Sequence, residues 1–336
     1  MSTAPHERRP VGATLPPPVE AEGRAHGRVA SRVRGALARA WDSDLAYGFR
    51  RSPVAMLSAG ALAVLLAAAM FAPWLAPQDP FDLAQLSLMD SFKPPAFARE
   101  GEWAHPLGTD DQGRDMLSGI MYGARVSLVV GVFSVLFAVA VGVGVGLVSG
   151  YLGGTTDAVL MRVADVQLTF PSILIALLVD GVVGAALPRG LHERAEIYVL
   201  IFSIGISYWP QFARTVRGST LVERNKDYVM AARVIGLSAP RILATHILPN
   251  VLGPVLVIGT LTLGLAILSE ATLSFLGVGL PPTQPSLGTL IRIGNAFLFS
   301  GEWWITVFPG AALVLVVLSI NLLGDWLRDA LNPRLR

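Results

Sequence analysis

"DYVMAARVIGLSAPRILATHILPN" (227–250) closes a basic segment, 214–249, that lies between two almost wholly apolar runs. It predicts a helix from about Lys226 to Ile235. Tyr228, Ala231, Ala232 and Ile235 then share one face at i, i+3, i+4, i+7 spacing. Gly236 stands where a helix end takes a left-handed residue. Ser238 follows as N-cap of a second short helix, with Pro240 in its first turn. Pro249 and Asn250 end the stretch and open the next apolar run. The face carries alanines where a core helix carries leucines. Such a shallow face suits a groove on another protein, with the backbones close together. It suits a helix resting on membrane headgroups equally well, and the pattern alone leaves both readings open.

The flanking runs decide the class. The 336 residues are 53% hydrophobic and 15% charged, against about 25% charged in soluble domains. Apolar stretches near the ~20 residues needed to cross a bilayer fall at 54–76, 126–149, 160–184, 196–214, 250–275 and 305–325. The fourth is the weakest, with Pro210 near its end, and the third holds Pro171. Proline is tolerated where neighbouring helices satisfy the freed backbone. There is no cysteine, which excludes disulfides and thiolate chemistry. A net charge of +2 gives no argument for nucleic acid.

Basic residues set the orientation. The tail before the first span holds nine arginines, 214–249 holds six Lys/Arg and 326–336 holds three, so 18 of 26 lie on one side. Both termini and the 214–249 loop are therefore expected in the cytoplasm. The expected layout is a cytoplasmic tail over 1–53, either frayed or forming an amphipathic interfacial helix, and a first span at 54–76. An external segment with an amphipathic helix follows at 77–124. A five-helix core at 125–325 contains the cytoplasmic loop 215–249, and a cytoplasmic tail takes 326–336. Gly142, Gly146 and Gly150 in "VGVGVGLVSG" are four apart, the spacing that lets helices approach closely in a bundle or an oligomer.

"DYVMAARVIGLSAPRILATHILPN" resembles the EAA loop of ABC importer permeases, in the form found in the dipeptide/oligopeptide/nickel permease family. Ala231, Ala232, Gly236, His246, Leu248, Pro249 and Asn250 match; Met230 replaces the general motif's Glu. "HPLGTDDQGRDMLSGIMYGARVSL" (105–128), "GYLGGTTDAVLMRVADVQLTFPSIL" (150–174), "ILSEATLSFLGVGLPPTQPSLGTL" (267–290) and "NLLGDWLRDALNPRLR" (321–336) resemble the family's other signatures, in order. Leu287 and Asn332 are the departures, where Trp and Asp are common.

The resemblance implies an all-α integral membrane protein of six transmembrane helices with the type I ABC importer permease fold. It implies a multi-pass protein of the bacterial cytoplasmic (inner) membrane and a non-catalytic transport subunit. Its partners would be a second homologous permease in a heterodimer, two cytoplasmic ATPase subunits and an external substrate-binding protein, all set in the lipid bilayer, with no nucleic acid. The cargo would be di- or oligopeptides; nickel chelates, glutathione or another non-peptide solute are the alternative. The loop would be the coupling element, with Asp227, Tyr228, Ala231, Ala232, Arg233, Gly236, Arg241, His246, Pro249 and Asn250 as its site. Tyr228, Ala231 and Ala232 would dock, Arg233 and Arg241 would meet acidic groove rims, and His246 would bond a backbone carbonyl. ATP and Mg would sit on the partner ATPases. The only lysines, Lys93 and Lys226, follow no glycine, so this chain has no Walker A loop.

Glu270 is the sharpest remaining residue. A carboxylate inside a span costs about 2.5–3.5 kcal/mol on insertion scales. Glu270 and Ser274 are expected either to line the translocation path or to bond one another. Arg162 and Asp165 are expected to pair at i, i+3. "GTDDQGRD" lacks the EF-hand ligand spacing, and the five histidines show no metal pairing, so no metal site is expected. An intramembrane hydrolase would need a Ser–His pair or two facing Asp in the spans. The histidines lie outside or at an edge, and Asp165 and Asp180 lie about four turns apart on one helix.

Overall fold

In lipid a backbone has to satisfy its own hydrogen bonds, so apolar runs coil. The structure, a computed structural model, describes residues 44–82, 86–186, 188–280 and 284–331. The helices there are α1 (Asp44–Arg51), α2 (Pro53–Met70), α3 (Ala72–Leu75), α4 (Met116–Leu152), α5 (Gly154–Leu168) and α6 (Ser172–Ala186). They continue with α7 (Arg189–Glu223), α8 (Asp227–Val234), α9 (Ala239–Ile242), α10 (Leu248–Phe275), α11 (Leu287–Asn295) and α12 (Trp304–Leu331). The chain divides into two units after Ser52. Of the first unit only α1 is described in detail, so most of the expected N-terminal tail lies outside the described residues, as does Asn332.

Among the described residues four helices are long and apolar enough to cross a membrane: α2, α4, the stretch Ala239–Phe275 that holds α9 and α10, and α12. α5 and α6 pass only as a pair, bent by 93°. This corrects the expected continuous span at 160–184. Pro171 has no N–H and disfavours helical geometry at Phe170, and the chain breaks between Leu168 and Ser172. α7 runs unbroken through 196–214, but Ser203, Ser207, Pro210 and Gln211 dilute its apolar character. By length and composition the helices give four or five spans, where six were expected.

Two expected details also differ. The segment 77–124, expected outside, carries no separate amphipathic helix among the described residues; Met116–Ala124 forms the first turns of α4. That helix of 37 residues is about 55 Å long, well beyond the ~30 Å apolar core of a bilayer. Asp165 meets Arg214 of α7 at 3.9 Å instead of pairing with Arg162.

The glycine stripe explains how α4 packs. A Cβ on Gly142 would stand 2.6 Å from the Trp209 carbonyl, and one on Gly146 2.6 Å from that of Ala213. A Cβ on Gly150 would stand 2.7 Å from Cβ of Thr220. The stripe is thus filled by α7 of the same chain, and any larger residue would push the two helices apart. Around this seam Val130, Leu200, Ile204, Phe212, Val216 and Val251 form the main core.

Before α4 the chain is irregular but tightly bonded. Asp115 caps α4, accepting from Ser118 N at 2.8 Å and Ser118 Oγ at 2.7 Å. The Trp304 indole at the start of α12 donates to the Thr109 carbonyl at 3.1 Å. These bonds fasten the segment to the first turns of two spanning helices.

Candidate functional site

The loop between α7 and α10 is built by its ends. α7 stops at Glu223, and Lys226 leaves helical geometry to start α8. Asp227 in the first turn suits the positive end of the helix dipole. Val229 (0% exposed) and Ala232 (4%) turn inward, where they join the main core. Burying a valine fully is worth about 1.5–3 kcal/mol, which anchors this short helix.

The opposite side is open. Met230, Ala231, Val234 (88% exposed) and Ile235 (78%) point away from the chain. The expected docking face therefore needs correction. Ala231 and Ile235 are outward as expected, and Tyr228 is partly so. Ala232 is buried, and Met230 and Val234 take its place. Helical periodicity gives a face but not its direction; the missing cue was the Val229–Ala232 pair, which marks the inward side at i, i+3.

α8 ends as the sequence predicts. Gly236 has φ +84°. Its N–H donates to the Arg233 carbonyl at 3.0 Å, and Leu237 N–H to the Ala232 carbonyl at 3.1 Å. This is the paired bonding of a Schellman end. Ser238 occupies the N-cap position of α9, but its side chain makes no capping bond. A π-helical turn, Leu243–Ile247, then leads into α10, with Pro249 in its first turn.

Tyr228 holds three elements together. Its hydroxyl donates to Glu223 Oε2 at the end of α7 and accepts from Asn250 Nδ2 of α10 at 3.1 Å. Its ring stacks on His246, centroids 6.4 Å apart and 20° from parallel. The bond to the Glu223 carboxylate pushes the phenol up to about 12, so it stays a donor at any physiological pH. Lys226 Nζ fills the other Glu223 oxygen at 2.6 Å. Sequence reasoning missed Glu223. Its cue is that it and Asp227 are the only acids in the basic stretch 214–249.

Arg233, Arg224 and His246 find partners within the chain. Arg233 lies over the Tyr151 ring, 4.9 Å from its centroid, at the end of α4. Arg224 Nη1 donates to the Gly150 carbonyl at 2.7 Å, capping that helix end. His246 Nδ1 meets Thr245 Oγ1 at 2.7 Å, where a carbonyl was expected. Its own carbonyl accepts from Asn250 Nδ2 at 2.7 Å. Arg241 is exposed. The loop is thus clamped to α4, α7 and α10, with an apolar stripe left outside.

Glu270 and Ser274 lie elsewhere, one turn apart in α10. Glu270 is 0% exposed, and Ser274 Oγ donates to its Oε1 at 2.8 Å. The hydroxyls of Ser127 and Ser286 stand beside it. The carboxylate faces packed protein, not an opening in this chain.

Residues 142–336 match the family described as binding-protein-dependent transport system inner membrane component. Residues 40–95 match the N-terminal TM domain of oligopeptide transport permease C. The chain is 41% identical to the dipeptide transport system permease protein DppC of Escherichia coli K12, over 86% of this chain and 91% of that one. It is 36% identical to DppC of Haemophilus influenzae, over 86% and 93%. It is 40% identical to a putative peptide transport system permease protein of Brucella suis, over 82% and 86%. Among solved structures, a chain of the inward-facing MetNI methionine ABC transporter aligns with a TM-score of 0.50 at 18% identity. That alignment covers 65% of this chain and 98% of the other and speaks to the fold alone.

Proposed function

The chain belongs to the binding-protein-dependent transport system inner membrane components, and we propose that it carries di- or oligopeptides across the membrane under the drive of ATPase subunits docked on α8. It is a transport subunit of a multi-pass inner membrane protein family and not an enzyme. Peptide cargo is supported by the peptide permeases that it resembles across most of their length. The partners proposed are a second permease, two ATPases that bind ATP and Mg, and an external binding protein. The termini and the α8 loop are assigned to the cytoplasm from the basic-residue bias. α7 and the bent α5–α6 pair complete six crossings with the four apolar ones.

One observation carries the docking proposal: α8 is fastened inward by Val229, Ala232 and Tyr228 while Met230, Ala231, Val234 and Ile235 lie bare. An apolar stripe on a rigid, polar-clamped helix is what a groove on a partner takes up. Asp227 and Arg241 sit exposed beside the stripe, placed to meet polar groups at the groove rim, while Gly236 and the Pro249–Asn250 entry to α10 fix the loop's shape. ATP-driven closure of the partners would then move a two-state bundle through the clamps. Ala231→Trp tests this. The ATPase subunits should no longer co-purify with the chain, and retained association with normal uptake of a tritiated dipeptide would refute it.

Glu270 and Ser274 are proposed to pin α10 where it meets α4 and α11. Glu270→Gln should leave uptake within about twofold, since the amide keeps an acceptor for Ser274. A large loss of uptake with normal assembly would return both residues to the translocation path.

A further inference from the structure

Pro210 has no N–H, so the carbonyl four residues earlier, on Ile206, loses its helical partner. In an apolar bundle such a carbonyl has to find another partner. The partner comes from another helix. Gln167, one residue before the end of α5, donates its Nε2 to the Ile206 carbonyl. Its Oε1 accepts from the Trp209 indole at 2.9 Å. The indole only donates and the carbonyl only accepts, so these two bonds also fix which way the amide points.

Gln167 sits at the elbow. The chain turns by 93° between α5 and α6 immediately after it. Below the elbow α5 is tied along α7 by two ion pairs. Arg217 grips Asp157 with two nitrogens, Nη2 at 2.6 Å, and Arg214 meets Asp165. Above it, Tyr208 of α7 bonds Ser269 of α10 at 2.8 Å and receives Ser172, the first residue of α6, at 3.5 Å. The same α7 ends in the Glu223–Tyr228 clamp of the α8 loop.

We propose that Gln167 is a positioning residue that latches the α5–α6 elbow onto the proline gap of α7, so that movement of the α8 loop, carried by α7, is passed to α6. The proposal rests on the coupling role given to α8 above. A merely structural Gln167 would patch the carbonyl and nothing more. Pro210→Ala separates the two roles, because it restores the missing N–H and lets α7 satisfy Ile206 by itself.

The test compares Gln167→Ala, Pro210→Ala and the double variant in the intact transporter, by uptake of a tritiated dipeptide and by ATP turnover of the purified complex. Gln167→Ala should lower uptake about tenfold, the scale of one lost buried bond, while the ATPases still co-purify. The double variant, with its helix repaired, should stay low. Where Gln167→Ala assembles poorly, the repaired double variant supplies the answer. A second readout needs no cargo. The chain has no cysteine, so spin labels at exposed Phe170 and Val222 report the elbow against the end of α7. One narrow distance is expected in the parent and a broad one in the double variant. Normal uptake in Gln167→Ala, full recovery in the double variant, or an unchanged distance distribution would overturn the latch. A parent that takes up no dipeptide would count against the peptide reading, and the spin-label distances would still decide the latch.

Discussion

The segment before α4 and the loop around α8 both interrupt an apolar chain with polar sequence, and they solve opposite problems. Before α4 the polar groups turn inward. Thr109, Asp110 and Asp115 are buried, and Asp110 Oδ1 accepts from the N–H groups of Gln112 and Arg114, both at 2.9 Å. Burial is the larger influence on Asp110 and pushes its carboxyl up. Around α8 the polar groups also bond within the chain, but an apolar stripe turns outward. One region completes itself against α4 and α12. The other leaves Val234 and Ile235 bare, where a docked partner is proposed.

Changes that separate association from stability sharpen this contrast. The largest effect belongs to Ala231→Trp on the open stripe. ATPase association should fall by at least about tenfold, as for a bulky change at an interface centre. The chain's own melting should barely move, because the side chain meets only solvent. Asp115→Ala should do the reverse. It removes a cap worth about 0.5–2 kcal/mol, so thermal unfolding in detergent should shift downward while ATPase association persists. Equal behaviour of the two variants would erase the distinction between the regions.

The smallest effect is the pH dependence of Tyr228. Its phenol is raised from 10.0 to about 12 by the bond to Glu223. A raised group stabilises most below its unfolded value and loses that contribution as pH climbs through its folded one. The stability gap between the parent and Tyr228→Phe should therefore be flat below pH 10 and close between 10 and about 12. A gap that closes already near neutrality would mean that Tyr228 does not hold Glu223 and Asn250 together.

Much of this was legible in the sequence. The apolar runs became helices, the Gly142–Gly146–Gly150 spacing became a close helix seam, and Gly236 became the left-handed end of α8. Those features depend on local backbone chemistry. What escaped depends on neighbours distant in the chain. Pro171 and Pro210 look alike in sequence, yet the chain breaks at one and runs straight through the other. At Pro210 the Ile206 carbonyl that loses its helical partner is met by Gln167 from α5. Arg233 on Tyr151, Asp165 with Arg214, and the inward turn of Ala232 likewise needed a partner that spacing does not name. Glu270 stands out in the sequence as a carboxylate in an apolar run, but its surroundings of serine hydroxyls come from three different elements.

On this reading α8 has one side fastened to its own bundle and one side offered to an ATPase. Single cysteines at Val234 and at Val229, in a chain otherwise free of cysteine, test it most directly by crosslinking within the intact transporter. A crosslink to the ATPase subunit is expected from Val234→Cys and none from Val229→Cys. A crosslink from Val229→Cys alone, or from neither while the ATPases remain bound, would contradict it.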